Sequence, residues 1–433
     1  MTKQCYENYK ETGNSWLGKA PSEWQVRRAD FVIKSRKLQI SPSELEDRDV
    51  YHYAIPTVQV TGAGAVEEGE SIDSGKLIIN EPQVLVSKLN PRKATVTIAE
   101  PHPEYLTVAS TEFVPLIPWE ADLNYMFYVW KSQKVTDRLS SFVQSVTRSH
   151  QRCDPAEITK IPWAWPSQGE QQKIAAFLDR KTAEIDTLIA KKRRLLDRLA
   201  EKRTALITRA VTKGLNPDAP MKDSGIEWLG EIPAHWDVRS IRRVSSKVRT
   251  GSTPPSTGTD YFCDEGVDWY TPGDISDDIT LEGATKSVSQ EAVDDGVCRL
   301  FPSNSVLIVG IGATLGKIAI SNREFSANQQ INVVLTLPAV EHRYLAYYLY
   351  SRRAELKMMS AASTLGIINQ ERTKQFPCPF PLLQEQREIA EYCRKKIAET
   401  ADTESKIDAA VERLKEYRSA LITNAVTGQI KVA

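Results

Sequence analysis

The sequence has no apolar run that approaches the roughly 20 residues needed to cross a membrane. Residues 1–10 have no cluster of positive charges followed by an apolar stretch, so no secretory signal is expected. The six cysteines are scattered without a Cys-x-x-Cys pair, which argues against disulfides and zinc sites. These absences predict a cytoplasmic protein with reduced thiols and no structural metal.

Excess charge of either sign is also lacking, since 56 basic residues balance 56 acidic ones. Zero net charge by itself argues against nucleic-acid binding. The charges are unevenly distributed, however, because residues 166–222 hold 13 basic and 7 acidic side chains. No acidic residue lies between Val238 and Thr259, a stretch with several cations. A positive local surface can therefore exist without net charge.

The sequence lacks the motifs of the enzymes that act on DNA or nucleotides. The segment GIGATLGK (310–317) resembles a phosphate loop, but its glycines have the wrong spacing and Ile318 replaces the required Ser or Thr. No Asn/Asp-Pro-Pro-aromatic tetrapeptide of the adenine methyltransferases is present. The histidines have no Cys or carboxylate at metal-ligand spacing; they are His52, His102, His150, His235 and His342. We expect no catalytic centre and no cofactor.

An internal repeat organises the chain. Residues 13–26 (GNSWLGKAPSEWQV) recur at 225–238 as GIEWLGEIPAHWDV. Residues 161–178 likewise match 376–393, and ALITRAVT at 205–212 matches ALITNAVT at 420–427. Between these flanks the halves align only at islands such as VLVSKLN (84–90) against VLIVGIG (306–312). The repeat predicts two related modules that each recognise something different.

Each repeat opens with a Trp- and Pro-containing motif and continues into short β-branched runs separated by turn residues. Strands are predicted at 76–79, 84–86, 95–98, 306–308 and 331–337. A Pro-rich stretch, 162–166 or 377–381, ends each domain because Pro extends neither a helix nor a central strand. The predicted divisions are 1–165 (first domain), 166–222 (helix and linker), 223–384 (second domain) and 385–433 (second helix).

Residues 170–211 contain no Gly or Pro and are rich in helix formers, which predicts one helix of roughly 60 Å. Gly214, Pro217 and Pro220 end it. Apolar residues follow a heptad pattern in both copies, at Leu178, Ile185, Leu199 and Leu206 with Leu188 and Leu195 on the adjacent stripe, and at Cys393, Ile407, Leu414 and Leu421. The pattern favours an antiparallel coiled-coil spacer with near two-fold symmetry over helices that are simply packed and solvated.

Three motifs together resemble the specificity (S) subunits of type I restriction-modification enzymes. They are WLGEIPAHWDV (228–238), TGSTPPS (250–256) with DWYTPGDIS (268–276), and PFPLLQEQREIA (379–390) ahead of a long helix. The resemblance covers nearly the whole chain. The first half departs from the pattern, because it lacks a TGSTP-like segment and has WAWPSQGEQ (163–171) in place of CPFPLLQEQ.

The resemblance implies an α+β fold with two mixed α/β target-recognition domains joined by two long antiparallel coiled-coil helices. It implies a non-catalytic subunit that binds double-stranded DNA at a bipartite, asymmetric sequence. Two methyltransferase subunits would assemble on it, two motor-nuclease subunits can join, and no membrane is involved.

Candidate phosphate contacts follow the opening motifs, because Arg and Lys supply most phosphate contacts. Those in the first domain are Arg27, Arg28, Lys34, Arg36 and Lys37, with Lys88, Arg92 and Lys93 in a later loop. Those in the second domain are Arg239, Arg242, Arg243, Lys247 and Arg249. Arg27 and Arg239 are equivalent in the repeat. A solvated charged face would have the same composition, and this alternative stays open.

Candidate base contacts are polar side chains in loops, since Arg recognises guanine and Asn or Gln recognises adenine. Two equivalent loops precede the closing Pro stretches, with Thr147 and Arg148 in the first and Thr364, Asn369 and Gln370 in the second. Further candidates are Thr250, Ser252 and Thr253, and the amide cluster Asn328, Gln329 and Gln330. Plain loops also contain amides.

A coiled-coil scaffold that pairs proteins without touching DNA is the alternative function. Reversing the charge of Arg239, Arg242 and Arg243 separates the two, because only a DNA-binding protein would lose binding while it keeps its fold and partner. An enzyme is the third hypothesis, and it requires activity of the isolated chain on DNA.

Overall fold

The computed structural model describes residues 5–143, 151–255, 261–276, 279–360 and 366–432. It divides into two compact units, Met1–Arg193 with Asp408–Ala433, and Arg194–Ile407. Each unit contains one mixed α/β domain and a section of both long helices. The division between the units therefore falls inside the helices.

The first unit is built on two sheets. Its strands are β1 (Tyr9–Glu11), β2 (Lys19–Pro21), β3 (Gln25–Arg28), β4 (Ile33–Lys34), β5 (Gln39–Ile40), β6 (Asp49–Tyr53), β7 (Ala65–Glu68), β8 (Lys76–Ile78), β9 (Gln83–Ser87), β10 (Val96–Ala99), β11 (Leu106–Ser110), β12 (Phe113–Pro118) and β13 (Pro162–Trp165). The helices are α1 (Ile55–Thr61), α2 (Leu123–Lys131), α3 (Gln133–Ser141), α4 (Pro155–Thr159) and the start of α5 (Gln168–Lys213). The sheet orders are β10-β9-β12-β4 and β5-β8-β11-β6-β7.

The second unit repeats this plan with different strand connections. Its strands are β14 (Met221–Asp223), β15 (Glu231–Pro233), β16 (Asp237–Ser240), β17 (Ser245–Thr250), β18 (Phe262–Cys263), β19 (Val267–Tyr270), β20 (Thr280–Leu281), β21 (Ser287–Val288), β22 (Val306–Val309), β23 (Ile318–Ser321), β24 (Ser326–Ala327), β25 (Ile331–Thr336) and β26 (Pro377–Phe380). The helices are α6 (Ile241–Val244), α7 (Gln290–Asp294), α8 (His342–Ser351), α9 (Arg353–Met358), α10 (Gln370–Gln375) and α11 (Leu383–Val426). The sheet orders are β17-β25-β22-β23-β20 and β18-β21-β19-β24.

The strands predicted at the islands of the repeat are confirmed, as β9 and β22 are central strands in their sheets. Both are buried along their whole length, because each is flanked by two strands and covered by a helix, α2 in the first unit and α8 in the second. Continuous apolar runs are typical of strands buried on both faces.

The closing Pro-rich stretches form short edge strands and not central strands. Residues 162–165 form β13, which pairs antiparallel with β3, and residues 377–380 form β26, which pairs with β16. In a two-stranded sheet each strand has one free edge, where a missing N–H costs no hydrogen bond. Trp163 and Cys378 lie opposite Arg27 and Arg239, so the equivalence of the two arginines is confirmed.

The two long helices are confirmed at 46 residues for α5 and 44 for α11. They run antiparallel within each unit. In the first unit, Tyr6 donates to Glu170 and its ring lies under Lys431, whereas Asp186 pairs with Arg418 further along. In the second unit, Arg203 pairs with Glu404 at 3.2 Å, and the end of α5 at Gly214 lies against Glu385.

The buried seam of α5 differs from part of the predicted heptad. Ile174, Leu178, Ile185 and Ile189 are buried in the first unit, and Ile207 and Val211 are buried in the second. Leu199 and Leu206 are half-buried. The adjacent stripe is wrong as a packing surface, because Leu188 and Leu195 are 43% and 46% exposed. The apolar stripe is wider than the contact that one partner helix supplies.

Equivalent side chains connect each domain to the long helices. Gln171 donates to the Pro166 carbonyl at 3.0 Å and accepts from the Asp122 N–H at 2.8 Å. Gln386 donates to the Pro381 carbonyl at 2.8 Å and accepts from the Glu341 N–H at 2.9 Å. These glutamines tie the start of each long helix to the first turn of the helix that covers its sheet.

A tyrosine and a glycine hold the other end of each long helix. The Tyr125 hydroxyl donates to the Val426 carbonyl at 3.1 Å, and the Tyr344 hydroxyl donates to the Val211 carbonyl at 3.2 Å. Helix ends leave carbonyls without intrahelical partners, so these hydroxyls satisfy buried acceptors. Gly214 and Gly428 follow the helices at φ +72° and +70°. Both pack against the tryptophan of an opening motif.

Candidate nucleic-acid interface

Several predicted DNA contacts of the second unit meet at one end of the sheet that contains β17, β25 and β22. We call this group the polar edge: Thr250, Ser252, Thr253, Asn328, Gln329, Gln330, Asn369 and Gln370. The Ser252 N–H donates to the Ala327 carbonyl at 2.7 Å, and the Gly310 N–H donates to the Gln330 carbonyl at 2.7 Å. These bonds join the segments that follow β17 and β22 to residues 327–330, although the three segments are far apart in the sequence.

Side-chain hydrogen bonds connect the loops of the polar edge. The Thr250 hydroxyl lies 3.1 Å from Asn332 Oδ1 and 2.8 Å from the Gln370 amide. The Thr253 hydroxyl donates to the Gln329 amide oxygen. Asn332 is buried and donates to the Ile368 carbonyl at 2.6 Å. The polar edge is thus held by a buried asparagine that the sequence did not single out.

Members of the polar edge differ in how much hydrogen-bonding capacity they retain. Asn328 is buried, and its amide bonds to the side chain and N–H of Gln330. Asn369 caps α10 by accepting from the Arg372 N–H at 2.9 Å. Gln329 is exposed and accepts only from Thr253 among the described residues. The amide nitrogen of Gln329 therefore has no hydrogen bond among the described residues.

The predicted cations of the second unit fall into two sets. Arg239 pairs with Asp237 at 3.0 Å, and Arg242 pairs with Glu371 at 3.4 Å. Arg243, Lys247 and Arg249 are exposed and have no ion pair in the described part of the chain. Lys247 and Arg249 flank the buried Val248 on β17, an edge strand that leads into the polar edge.

The first unit shows the same division among its cations. Arg27 pairs with Glu120 at 3.0 Å, Arg28 pairs with Asp30, and the Lys34 amine lies 3.1 Å from the centre of the Trp119 ring. Arg36 and Lys37 are exposed, and within the described ranges neither has an acidic partner. The residues nearest the opening motif are thus partly neutralised, and the uncompensated charges come later.

A second group of predicted contacts lies in the loop between β9 and β10. Lys88, Arg92 and Lys93 occupy this loop, which turns through Asn90 at φ 50° and Ala94 at φ 45°. The Asn90 N–H donates to the Gln151 carbonyl at 2.7 Å. The loop is thereby joined to Gln151, which follows the predicted contacts Thr147 and Arg148 in the sequence. Those two residues and Thr364 lie outside the described residues.

Sequence reasoning missed some cations that the fold brings to these loops. The Arg299 guanidinium donates to the Thr250 carbonyl, and its N–H donates to Ser252 Oγ at 3.0 Å. Lys131 at the end of α2 and Arg418 in α11 line a pocket with Lys93. No local signal marked them, because their surroundings come from segments distant in sequence.

Other features of the described residues carry no catalytic arrangement. No group of His, Cys, Asp and Glu in these ranges could hold a metal ion, and the cysteines here are unpaired. Three histidines contact glutamates, His52 with Glu67 at 2.8 Å, His235 with Glu385 at 2.9 Å, and His342 with Glu341 at 3.4 Å. The segment GIGATLGK joins the antiparallel strands β22 and β23, whereas a phosphate loop joins a strand to a helix.

Among the described helices, none combines the length and apolar character needed to span a bilayer.

The family model described as type I restriction modification DNA specificity domain matches residues 21–197 and 233–413. The chain therefore belongs to this family and contains two copies of its domain.

Curated relatives agree with this assignment. The type I restriction enzyme MjaIX specificity subunit of Methanocaldococcus jannaschii is 29% identical over 167 residues, an alignment that covers 37% of this chain and 38% of that protein. The MjaVIII specificity subunit of the same organism is 22% identical over 443 residues, covering 98% of this chain and 96% of the relative. The chain thus aligns with about two fifths of the first relative and nearly all of the second.

Solved structures share the fold. A chain from a structure titled as the basis of complex assembly and conformational transition of the type I R-M system has a TM-score of 0.74 at 16% identity, and covers 94% of this chain and 98% of that one. The HsdS subunit from Thermoanaerobacter tengcongensis has a TM-score of 0.53 at 17% identity, with coverage of 95% and 98%.

Proposed function

We propose that this chain is the sequence-specific DNA-binding subunit of a type I restriction-modification complex and has no catalytic activity of its own. Each domain would recognise one part of a bipartite, asymmetric sequence. The domains correspond to residues 1–165 and 223–384, and the spacer to 166–222 and 385–433. A coiled-coil scaffold that does not touch DNA is not favoured by the family assignment.

One observation carries this proposal: both units have the same contacts to the long helices but different loops at the ends of their sheets. Gln171 and Gln386 make matching pairs of hydrogen bonds. The loop after β9 presents Lys88 and Arg92, whereas the loops beside β22 present amides and hydroxyls. Phosphate contacts position a protein on DNA and base contacts specify the sequence. Different loops would therefore recognise different base sequences, here called the two words of the motif.

The proposed partners follow from the family. Two methyltransferase subunits would assemble on the chain, and two motor-nuclease subunits can join the complex, which would act in the cytoplasm. Helices of fixed length would set the distance between the two recognised words, as dimer geometry sets half-site spacing in symmetric DNA-binding proteins.

Mapping of methylated bases tests the proposal. Cells that carry this chain with its methyltransferase subunit should contain one methylated motif made of two specific words and a non-specific gap. The isolated chain with S-adenosylmethionine should methylate nothing. A continuous methylated motif, or no new motif, contradicts the proposal.

Matched substitutions separate DNA contacts from charges that are neutralised within the fold. DNA binding weakens as salt rises, and the slope of log K against log salt concentration reports the number of phosphate contacts. Replacing Lys247 and Arg249 by Gln should reduce the size of this slope by about 0.9 for each lost phosphate contact. Arg239→Gln with Arg242→Gln is the control, because both arginines pair with carboxylates. The control should change the slope much less. A slope that stays at the parent value when Lys247 and Arg249 are replaced would remove these residues from the interface.

A further inference from the structure

The first unit has a cationic pocket. Of the predicted DNA contacts, Lys93 is the one that lines it. Three cations, Lys93, Lys131 and Arg418, line a pocket of about 540 Å³ between α1, the loop after β9, the end of α2 and α11. The pocket is much larger than the ~30 Å³ that one water occupies in the liquid. It can therefore admit a hydrated anionic group.

Polar groups on the pocket wall are arranged beside the lysines. The Gln59 amide donates to Thr95 Oγ1 at 3.1 Å, and its oxygen lies 3.4 Å from the Lys93 amine. The Lys131 amine donates to the Ala94 carbonyl at 3.1 Å. Two lysines of different elements are thus held beside one stretch of backbone, residues 93–95.

The positive charge of this pocket is poorly compensated. No acidic side chain lines it. Arg418 pairs with Asp186 at 3.0 Å, whereas neither Lys93 nor Lys131 has an ion pair in the described ranges. Burial lowers the pKa of Lys131, and the nearby Arg418 lowers it further. Lys131 and Arg418 are both half-buried, and like charges that are partly removed from water oppose folding, so the arrangement is costly without an anion.

The position of the pocket indicates which anion it takes. Its wall includes Lys93 and Ala94 from the loop that also presents Lys88 and Arg92. A phosphate held here would belong to the same backbone path as contacts made by that loop. We propose that Lys93, Lys131 and Arg418 bind a phosphate of the DNA backbone at the edge of the sequence recognised by the first domain, an inference that rests on the function proposed above.

The second unit has a pocket at the equivalent place, lined by Arg203, Tyr350 and Arg352 among others. Tyr125 and Tyr344 are equivalent, since each donates to the last turn of a long helix. Counting along α2 and α8 from these tyrosines places Tyr350 opposite Lys131. Arg418 corresponds to Arg203, which pairs with Glu404. A cation at the position of Lys131 is therefore specific to the first unit, although both pockets contain arginines.

The test uses the chain assembled with its methyltransferase subunit and two duplexes, one with the methylated motif and one without it. Lys131→Met keeps the aliphatic stem and removes the charge. It should weaken binding to both duplexes about tenfold, as expected for a hydrogen bond to a charged group. It should also lower the salt slope by about 0.9. Lys160→Met, an exposed lysine at the end of α4 outside the pocket, is the matched control and should change neither.

Lys93→Met provides a second variant that does not disturb a buried side chain, because Lys93 is exposed. It should lower the salt slope by the same amount, about 0.9. The double substitution should lower the slope by no more than the sum of two phosphate contacts. If both single variants keep the parent slope while the parent binds DNA, the pocket does not hold a backbone phosphate. If the parent itself binds neither duplex, the proposed function fails instead.

Discussion

Trp24 and Trp236 are both fully buried and both lie beside the glycine that ends a long helix, yet the loops around the equivalent strands β9 and β22 have almost no residues in common. The buried contacts must seat the same helices in both domains, so few sequences satisfy them. The exposed loops do not pack against the helices, so their residues can differ according to what each domain binds. The sequence difference between the two units is thus concentrated in the exposed loops, where packing does not restrict which side chain is present.

The largest expected effect comes from breaking the shared part. Trp24→Ala and Trp236→Ala each remove a fully buried indole, which costs roughly 3–5 kcal/mol. Each should lower the stability of its own unit by a similar amount. Chemical denaturation followed by tryptophan fluorescence and hydrogen exchange measures this loss. A large loss at one position and none at the other would show that the two domains are not equivalent in packing.

A smaller effect should distinguish the two helix ends. Gly214 and Gly428 both have positive φ, so Ala at either position costs about 1–2 kcal/mol of backbone strain. A Cβ at position 428 would also overlap the Pro21 ring, whereas at position 214 the nearest atom is Trp236 Cζ2 at 3.4 Å. Gly428→Ala should therefore lower the melting temperature more than Gly214→Ala does. The reverse order would contradict the packing described at Pro21.

Loss of one hydroxyl at each helix end should have a similar, milder effect. Tyr125→Phe and Tyr344→Phe remove the bonds to the Val426 and Val211 carbonyls, at a cost of about 1 kcal/mol each. Tyr344 also donates to the Pro379 carbonyl at 2.8 Å, so its loss leaves one more acceptor to satisfy. Thermal unfolding of both variants measures the two losses of stability. Neither loss should alter the recognised DNA sequence, because both hydroxyls are buried.

The smallest effect concerns Lys131, whose equivalent in the second unit is Tyr350. Because the folded pKa of Lys131 lies below its ordinary value of 10.5, the unfolded chain binds more protons between the two pKa values. The cost of the charge is fully present below the folded pKa and falls as the pH rises toward 10.5. Lys131→Met should therefore be more stable than the parent at pH 7, and this advantage should shrink in alkaline buffer. A constant difference across that range would show that Lys131 is not responsible.

Features with a local signal could be predicted from the sequence. The absence of Gly and Pro between residues 170 and 211 predicted α5 to within two residues at each end. The apolar islands at 84–86 and 306–308 predicted the central strands β9 and β22. The repeat itself predicted that Arg27 and Arg239 are equivalent, and the two registers confirm it.

Features that depend on distant partners could not be predicted. The sequence places Arg27 and Arg242 in basic stretches, but their partners Glu120 and Glu371 come from other elements. Leu188 fits an apolar stripe, yet no neighbouring element covers that face in the described part of the first unit. Proline residues fit β13 and β26 only because those strands have a free edge. Each outcome follows from tertiary packing, which outweighs local preference.

The most direct test of the account is whether the two domains recognise separate words. Gln329→Met removes an exposed amide of the polar edge without removing a buried contact. Methylated bases would be mapped in cells that carry this variant with its methyltransferase subunit. The account predicts that one word of the motif changes or relaxes, while the other word and the gap stay as in the parent. A change in both words, or in the gap, would contradict it.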